Sequence, residues 1–289
     1  MDKKNTQLKN VLDRLYVKYN HRKLIAPDPL QFVYRYSEPR DMEITALFAA
    51  VLAYGRVAQI EKSIASLLSF MGKSPFRFIL KFNRTKASGL KKFKHRFTTG
   101  RHLVALFFLL KEILSEFGSI EKFFAKEYSP SDPNIIPALS KFSDNLLAMH
   151  PEKNKGLKYL LSNPKDGSAC KRLNLFLRWM VRKDDVDTGL WKSIDKSKLI
   201  VPVDVHMARL CKLLGLYRRK TISLAAALEI TDSFRFIEPN DPVKYDFALS
   251  RVGILDNCTG WHRTGCEFCE LFKFCFPTRL NVLKVKNEH

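Results

Sequence analysis

Apolar residues recur at helical intervals along almost the whole chain. Leu8, Val11, Leu12 and Leu15 fall at i, i+3, i+4 and i+7, one face of a helix that Tyr16 and Tyr19 extend. Ile44–Tyr54 is apolar nearly all round, the pattern of a buried central helix, with Gly55 as its expected stop. Val57–Phe70 is amphipathic again, with Ile60, Ile64, Leu67 and Leu68 on one side. Leu103–Phe117, stopped by Gly118, and Ile135–Met149 continue the pattern. Chain punctuation at Asn163–Gly167, Lys183–Asp187 and Glu238–Pro242 separates further helices. These are expected over about Ser168–Arg182, Val205–Leu214, Ile222–Phe236 and Val243–Ile254, the last opened by Asn240 or Asp241 and Pro242. The expected fold class is all-α.

Lys73–Arg101 departs from this rhythm. It holds ten Lys/Arg and no Asp or Glu, with Phe76, Phe78, Phe82, Phe93 and Phe97 interleaved. Basic side chains can track a phosphate backbone while aromatic rings stack on unpaired bases. The spacing of the rings also suits helical burial, which would leave a solvated basic face.

Composition narrows the partners. A chain of 289 residues buries a substantial core as one large domain or two smaller ones. A net charge of +21 costs self-repulsion unless a polyanion neutralises it, and nucleic acid is the first candidate. A membrane surface comes second, and a plain solubility surface is the blander account. The polar start of the chain shows no secretory signal, and the longest apolar runs, Ala46–Ala53 and Leu103–Leu110, are too short to span a bilayer. The expected setting is cytoplasmic and nucleoid-associated, without a membrane, and a monomer is the simplest expectation.

Six cysteines in such a setting are expected to be reduced. Cys170 and Cys211 stand in apolar-periodic stretches and read as core residues. The other four, Cys258, Cys266, Cys269 and Cys275, form a C-x₇-C-x₂-C-x₅-C run. Thiolates so crowded suit a tetrahedral metal or an iron–sulfur cluster.

Two further residues carry candidate chemistry. Lys171 follows Gly167-Ser168-Ala169-Cys170 at the start of an apolar helix. A cation there opposes the helix dipole, an arrangement that favours a neutral, nucleophilic amine. Asp204, in Pro202-Val203-Asp204-Val205-His206, stands at the start of the next helix. Each has a plain alternative, a solvated lysine and an ordinary N-cap.

Taken in order, these segments resemble the helix-hairpin-helix DNA glycosylase superfamily, in particular its endonuclease III-like branch. Gly167–Lys171 is similar to the end of the hairpin, where a glycine precedes the catalytic lysine by four positions. Val203-Asp204-Val205-His206 with Arg209 is similar to the family's Val-Asp-Thr-His segment, and the four cysteines to its iron–sulfur loop. Leu47–Ser63 resembles an early buried helix and loop, which would place Arg56 where a residue wedges into DNA. More narrowly, Gly167–Arg182 looks like a bacterial family catalogued as a domain of unknown function.

The resemblance implies two helical domains with a cleft between them. Residues 37–182 would form a barrel-like domain ending in the hairpin-helix, and residues 1–36 with 183–289 a second domain carrying Asp204 and the cysteine loop. It implies a DNA glycosylase that flips a damaged base out of double-stranded DNA, with AP lyase activity through Lys171 left open. Lys171 and Asp204 would be catalytic; Arg56, Gly167, Ser168, Arg172, His206 and Arg209 would contact DNA. Trp179 and Trp191 are candidate pocket walls, although the helical spacing of Trp179 reads more readily as core. The cysteines would hold a structural [4Fe–4S] cluster, with Cys₄ zinc, or His262 replacing one thiolate, as the alternative; Arg263 and Lys273 would face phosphate. A non-catalytic DNA- or RNA-binding protein that keeps the fold is the rival reading.

Three departures bear on this. Ser168 and Ala169 replace the apolar residue and second glycine of the hairpin, and a Cβ at Ala169 is expected to disturb a backbone phosphate clamp. The interval from Lys171 to Asp204 implies an insertion around Asp184–Lys198. The first cysteine gap has seven residues where the pattern has six.

Overall fold

The computed structural model describes residues 3–150, 154–256, 258 and 265–275. Among them the chain forms thirteen α-helices joined by short 3₁₀ turns. In order they are α1 (Lys3–Tyr19), α2 (Pro39–Val51), α3 (Val57–Met71), α4 (Pro75–Leu80), α5 (Arg84–Ala87), α6 (Gly100–Phe117) and α7 (Ile120–Ala125). There follow α8 (Ile136–Ala148), α9 (Lys155–Leu160), α10 (Lys171–Val181), α11 (Val205–Leu213), α12 (Leu224–Ile237) and α13 (Asp246–Ile254). The all-α expectation holds, with one exception. Lys94–His95 (β1) and Thr98–Thr99 (β2) make a small antiparallel hairpin inside the basic segment.

Helix α2 is the centre of the packing. Every residue from Ile44 to Leu52 is fully buried, and α2 packs against α10, α3 and α4. It begins five residues before the apolar run does. The reason lies in two acidic residues that look like surface positions in the sequence. Asp41 Oδ1 accepts from Ser74 Oγ and Phe76 N, both at 2.8 Å, so it serves the N-terminus of α4. Glu43 accepts from Ile120 N (3.0 Å), Glu121 N (2.9 Å) and the Trp191 indole (2.7 Å). Burial pushes the Glu43 carboxyl up, and those amides and the indole pull against it. Orphan amides of two helices are thus met from a third.

The helix also ends before Gly55, at Val51, and Ala53 and Tyr54 turn back on Ala50 and Leu52. Gly55 is required for another reason. Its φ is +103°, and a Cβ there would lie 2.9 Å from the Arg96 side chain of the hairpin.

Two other helices start later than their patterns suggest. Asp241 does not open α13, because its carboxylate is taken by Arg182 Nε at 2.9 Å. The chain turns through residues 241–245 and becomes helical only at Asp246. Helix α10 begins at Lys171, not Ser168, because Gly167 (φ +76°) and Cys170 (φ +46°) are both left-handed. Helix α1 packs on α12 and α13; Lys9 reaches Glu238 and Tyr245 donates to Asp13, both at 2.8 Å.

The segment Asp184–Lys198, expected as an insertion, is structural. Asp187 is fully buried and takes Arg178 Nε (3.2 Å) and Arg182 Nη1 (2.6 Å). Arg178 also binds Asp246, and Arg182 also binds Asp184 (2.7 Å) and Asp241. Burial alone would raise the Asp184 carboxyl. Arg182, the amides of Val186 and Asp187 and the Tyr16 hydroxyl outweigh it and hold the group below the usual carboxylate range.

That depression fixes a sign. A carboxyl with a lower folded than unfolded pKa stabilises above the unfolded value, and the contribution is lost as pH falls through the folded one. Stability in urea is therefore expected to fall below about pH 4, where unfolded carboxylates protonate. Asp184→Asn should flatten that fall and cost about 1–3 kcal/mol at neutral pH, the penalty of a broken buried hydrogen-bond set. An unchanged pH slope in the variant would refute this role.

Candidate active site

The residues that carry candidate chemistry meet in a cavity of about 570 Å³. Lys171, the first residue of α10, lies with its Nζ 3.7 Å from Oδ2 of Asp204. Asp204 also caps α11, with Oδ1 accepting from His206 N (3.0 Å) and Met207 N (2.9 Å). The two readings of Asp204 are therefore compatible: one oxygen caps, the other faces the amine. Both side chains remain partly open to solvent, at 29% and 41%.

Beneath them the wall is charged and buried. Arg178, Asp246 and Arg251 line the same cavity. Burial raises the Asp246 carboxyl; Arg178 opposes this most, Asp204 adds to the rise and Lys171 opposes it. The amine and the two carboxylates thus share one local field. The signal for Arg178 was present in the sequence. It stands seven residues after Lys171, two turns along the face that also carries Leu175. Arg251, Asp28 and Tyr54, further lining residues, carried no such mark.

The remaining candidates occupy defined positions. Arg56 is exposed at the start of α3, between the lining residues Gly55 and Val57. His206 lines the cavity and its Nδ1 lies 2.9 Å from Arg209 Nη2. Gly167 turns the chain in the left-handed region, and its carbonyl accepts from Leu224 N at 2.9 Å. Ser168 Oγ accepts from Cys170 N at 3.1 Å, so one amide of the hairpin is already occupied.

Ala169 has no positive φ, so its Cβ imposes no left-handed strain; that falls on Cys170. Cys170 is buried, its thiol donates to Ser162 O at 3.2 Å, and burial pushes the thiol up. Arg172 is committed inside the protein. It donates to Val51 O (3.0 Å) and Tyr159 O, and lies over the rings of Tyr54 (5.1 Å) and Tyr159 (4.4 Å).

For two groups of rings the structure decides in favour of the core, which for Trp191 is a correction. Trp179 and Trp191 do not line the cavity; both are core residues, Trp191 against Phe124 and Phe176. The rings of the basic segment do not form a row. Phe82 is fully buried, and Phe76, Phe78 and Phe93 pack on the core. Phe97 is different: it is 65% exposed at the tip of the hairpin, with Arg96 5.4 Å from its ring. Tyr54 of the cavity wall joins this tip to the site: its hydroxyl donates to His95 O (2.8 Å) and lies 2.7 Å from Thr98 Oγ1.

Around the cysteines, Cys266 and Cys269 share one 3₁₀ turn, and Cys275 ends the next helical turn. Burial pushes the Cys269 thiol up, and Cys258 and Cys266 add to the rise. Among the described residues, no three His, Cys, Asp or Glu side chains converge closely enough to hold a metal ion. Lys273 is described beside them; His262 and Arg263 lie outside the described residues. No helix among the described residues is long and apolar enough to cross a membrane.

An all-α protein with a charged cleft at the start of two helices is the class this geometry defines. The chain belongs to the family described as "Protein of unknown function (DUF2400)", whose model matches residues 28–255. The match includes every cavity-lining residue except Pro27 and ends before Cys258. Comparison with curated proteins gave no match, and neither did comparison with solved structures.

The adjacent residues Lys171 and Arg172 should separate cleanly in stability. Arg172→Ala leaves two carbonyls unpaired and removes ring contacts, an expected loss of about 2–3 kcal/mol. Lys171→Ala should stay within about 1 kcal/mol, the range of a partly exposed ion pair. Urea denaturation of the two variants checks both; equal losses would contradict the assignment.

Proposed function

We propose that this protein is a DNA glycosylase-like enzyme that removes a damaged base, with AP lyase activity through Lys171. The observation that carries the reading is the approach of Lys171 Nζ to Asp204, 3.7 Å apart in a cavity large enough for a flipped nucleoside. The left-handed turn at Gly167 directly before α10 supports the hairpin resemblance. A second depression of about 530 Å³ adjoins it, lined by Lys155, Lys158, Lys171, Arg172 and Ser168 with one carboxylate, Asp166, paired to Lys158 at 3.1 Å; its excess of cations suits a phosphate. The excess of positive charge serves the same partner.

In this reading Asp204 takes a proton from the amine, and Nζ of Lys171 attacks C1′ of the deoxyribose. The C1′–N bond breaks as the Nζ–C1′ bond forms; its electron pair leaves with the base, which takes up a proton from water. Nζ then gives up a proton to solvent and the C1′–O4′ bond breaks, its electron pair leaving with O4′, which takes the proton held by Asp204; the C1′=Nζ imine so formed is one that borohydride can reduce. Arg56 and Phe97 would fill the gap left in the duplex, and His206 and Arg209 would hold the backbone. Cys258, Cys266, Cys269 and Cys275 would hold a [4Fe–4S] cluster, or zinc; the four-thiolate donor set suits either. The group would supply a structural tie for the end of the chain.

Borohydride trapping on duplexes with oxidised, deaminated, alkylated or abasic sites tests the chemistry. A covalent adduct is expected on at least one damaged base, absent in Lys171→Ala and reduced about tenfold or more in Phe97→Ala, the scale of one lost base-stacking contact. Base release and nicking left intact by Lys171→Ala would refute the lysine's role. No adduct and no base release on any duplex would favour a non-catalytic binding protein, which the exposed Phe97 and basic hairpin equally serve. Visible absorption and metal analysis of anaerobically purified protein should show a brown protein with about four irons per chain. A colourless, zinc-loaded protein would replace the cluster with zinc.

A further inference from the structure

Three rings run in contact from the tip of the β1–β2 hairpin to the wall of the cleft. Phe97 meets Tyr159 of α9 edge-on, with 5.8 Å between centroids, and Tyr159 meets Tyr54 at 5.3 Å. Tyr54 lines the cavity that holds Lys171 and Asp204, and Tyr159 lines the second depression beside it. Arg172 lies over both tyrosines and borders both hollows. The outer two rings are open to solvent, Phe97 at 65% and Tyr159 at 38%.

The tip is anchored to the cleft. His95 is fully buried, with Nδ1 2.9 Å from Ser63 Oγ and Nε2 3.0 Å from Tyr54 O. The Arg96 side chain lies against Gly55, another residue of the cavity wall. A ring fixed in solvent on an anchored turn is preorganised for a partner, because binding need not order it. The surrounding charge selects the partner. Lys91, Lys92, Lys94, Arg96 and Arg101 are all exposed, and no acidic residue occurs from Lys73 to Arg101. Cations beside open rings fit a nucleic-acid strand whose phosphates meet the cations while its bases stack on the rings.

That strand has to be unpaired. In an intact duplex the faces of each base are covered by its neighbours, so a ring outside the helix finds nothing to stack on. Extrusion of one nucleotide opens one gap, which one ring fills. Phe97 and Tyr159 together offer more ring than that gap accepts.

We propose that the hairpin and Tyr159 form a stacking platform for unpaired bases beside the target nucleotide, so that the substrate is locally single-stranded DNA and not a fully paired duplex. This rests on the reading of the cleft as a base pocket and adds to it the form of the strand that enters.

The test is equilibrium binding of the full chain to one undamaged sequence in three forms. These are a matched duplex, a single strand, and a duplex with a central bubble of about five unpaired nucleotides, the scale of a short single-strand site. Undamaged DNA keeps base release out of the measurement, and all three are compared at one salt concentration. Bubble and single strand should bind about tenfold tighter than the matched duplex, the scale of one base stacked on a ring. Phe97→Ala should bring that ratio to within about twofold while leaving the affinity for intact duplex in place, and Phe97→Trp should preserve it. Tyr159→Leu, which keeps an apolar contact for Phe97 but no ring, should lower the ratio as well. Because Phe97 is exposed, its variants probe the surface and not the core.

Affinities for bubble and duplex within about twofold would overturn the proposal, as would a preference untouched by Phe97→Ala or by Tyr159→Leu. Single-stranded RNA binding more tightly than the DNA strand of the same sequence would overturn the choice of DNA. Borohydride trapping of an aldehydic abasic site, set in the duplex and in the bubble, separates the platform from the reading it rests on. Lys171-dependent trapping without a preference for unpaired DNA sinks only the platform. A preference for unpaired DNA that Phe97→Ala abolishes, without trapping on either form, upholds the platform and sinks the role of Lys171.

Discussion

The position of the cleft depends on one buried charge. Arg178 ties α10 to Asp187 of the following loop and to Asp246 at the start of α13. Arg182, one turn further along α10, takes Asp184, Asp187 and Asp241. Together they lock the helix that begins with Lys171 to the segments on the far side of the cavity. Buried ion pairs add little net stability compared with apolar packing, but removing one partner leaves a charge uncompensated, at about 3–5 kcal/mol. A network of this kind therefore constrains geometry more than it stabilises. What it constrains here is the position of α10 against the loop that follows it and the start of α13, and α13 in turn packs on α11, at whose start Asp204 faces the amine.

The same economy appears in α2. Two acidic side chains on a central helix would ordinarily break its burial, yet each is consumed by the amides that open another helix. Core helix and capping groups are then one element, and α4 and α7 are fixed relative to α2 by hydrogen bonds as well as by packing.

Helical periodicity was legible almost throughout, because apolar faces repeat wherever a helix lies on a core. Lys171, Asp204 and the left-handed glycine before α10 were legible too, from order and spacing. What was hidden depended on partners distant in sequence. Asp241 reads as a helix N-cap until Arg182 claims it. Glu43 reads as surface until α7 and Trp191 arrive. Trp179 could be read as core from its helical spacing, whereas Trp191 carried no such mark, since large rings suit a pocket as well as a core. Ala169 looked like the flaw in the hairpin, yet the left-handed residue is Cys170, whose strain no local pattern announces. Phe97 could not be told from its four neighbours until the hairpin turned it outward.

The cysteine run and the cleft are separable parts of the chain. All but one of the cavity-lining residues fall within the stretch shared with the family, and the four cysteines fall after it. The described part of that end is fastened from outside the cleft. Cys258 N reaches Val252 O of α13 at 3.4 Å, Glu270 pairs with Arg14 of α1 at 2.8 Å, and Leu271 is buried. A group held by these thiolates would therefore act on α1 and α13, which pack against each other. Asp246 and Arg251 belong to α13, so the tie would steady the wall of the cleft. Substitution of the thiolates should then reach the cleft only through the placement of α13.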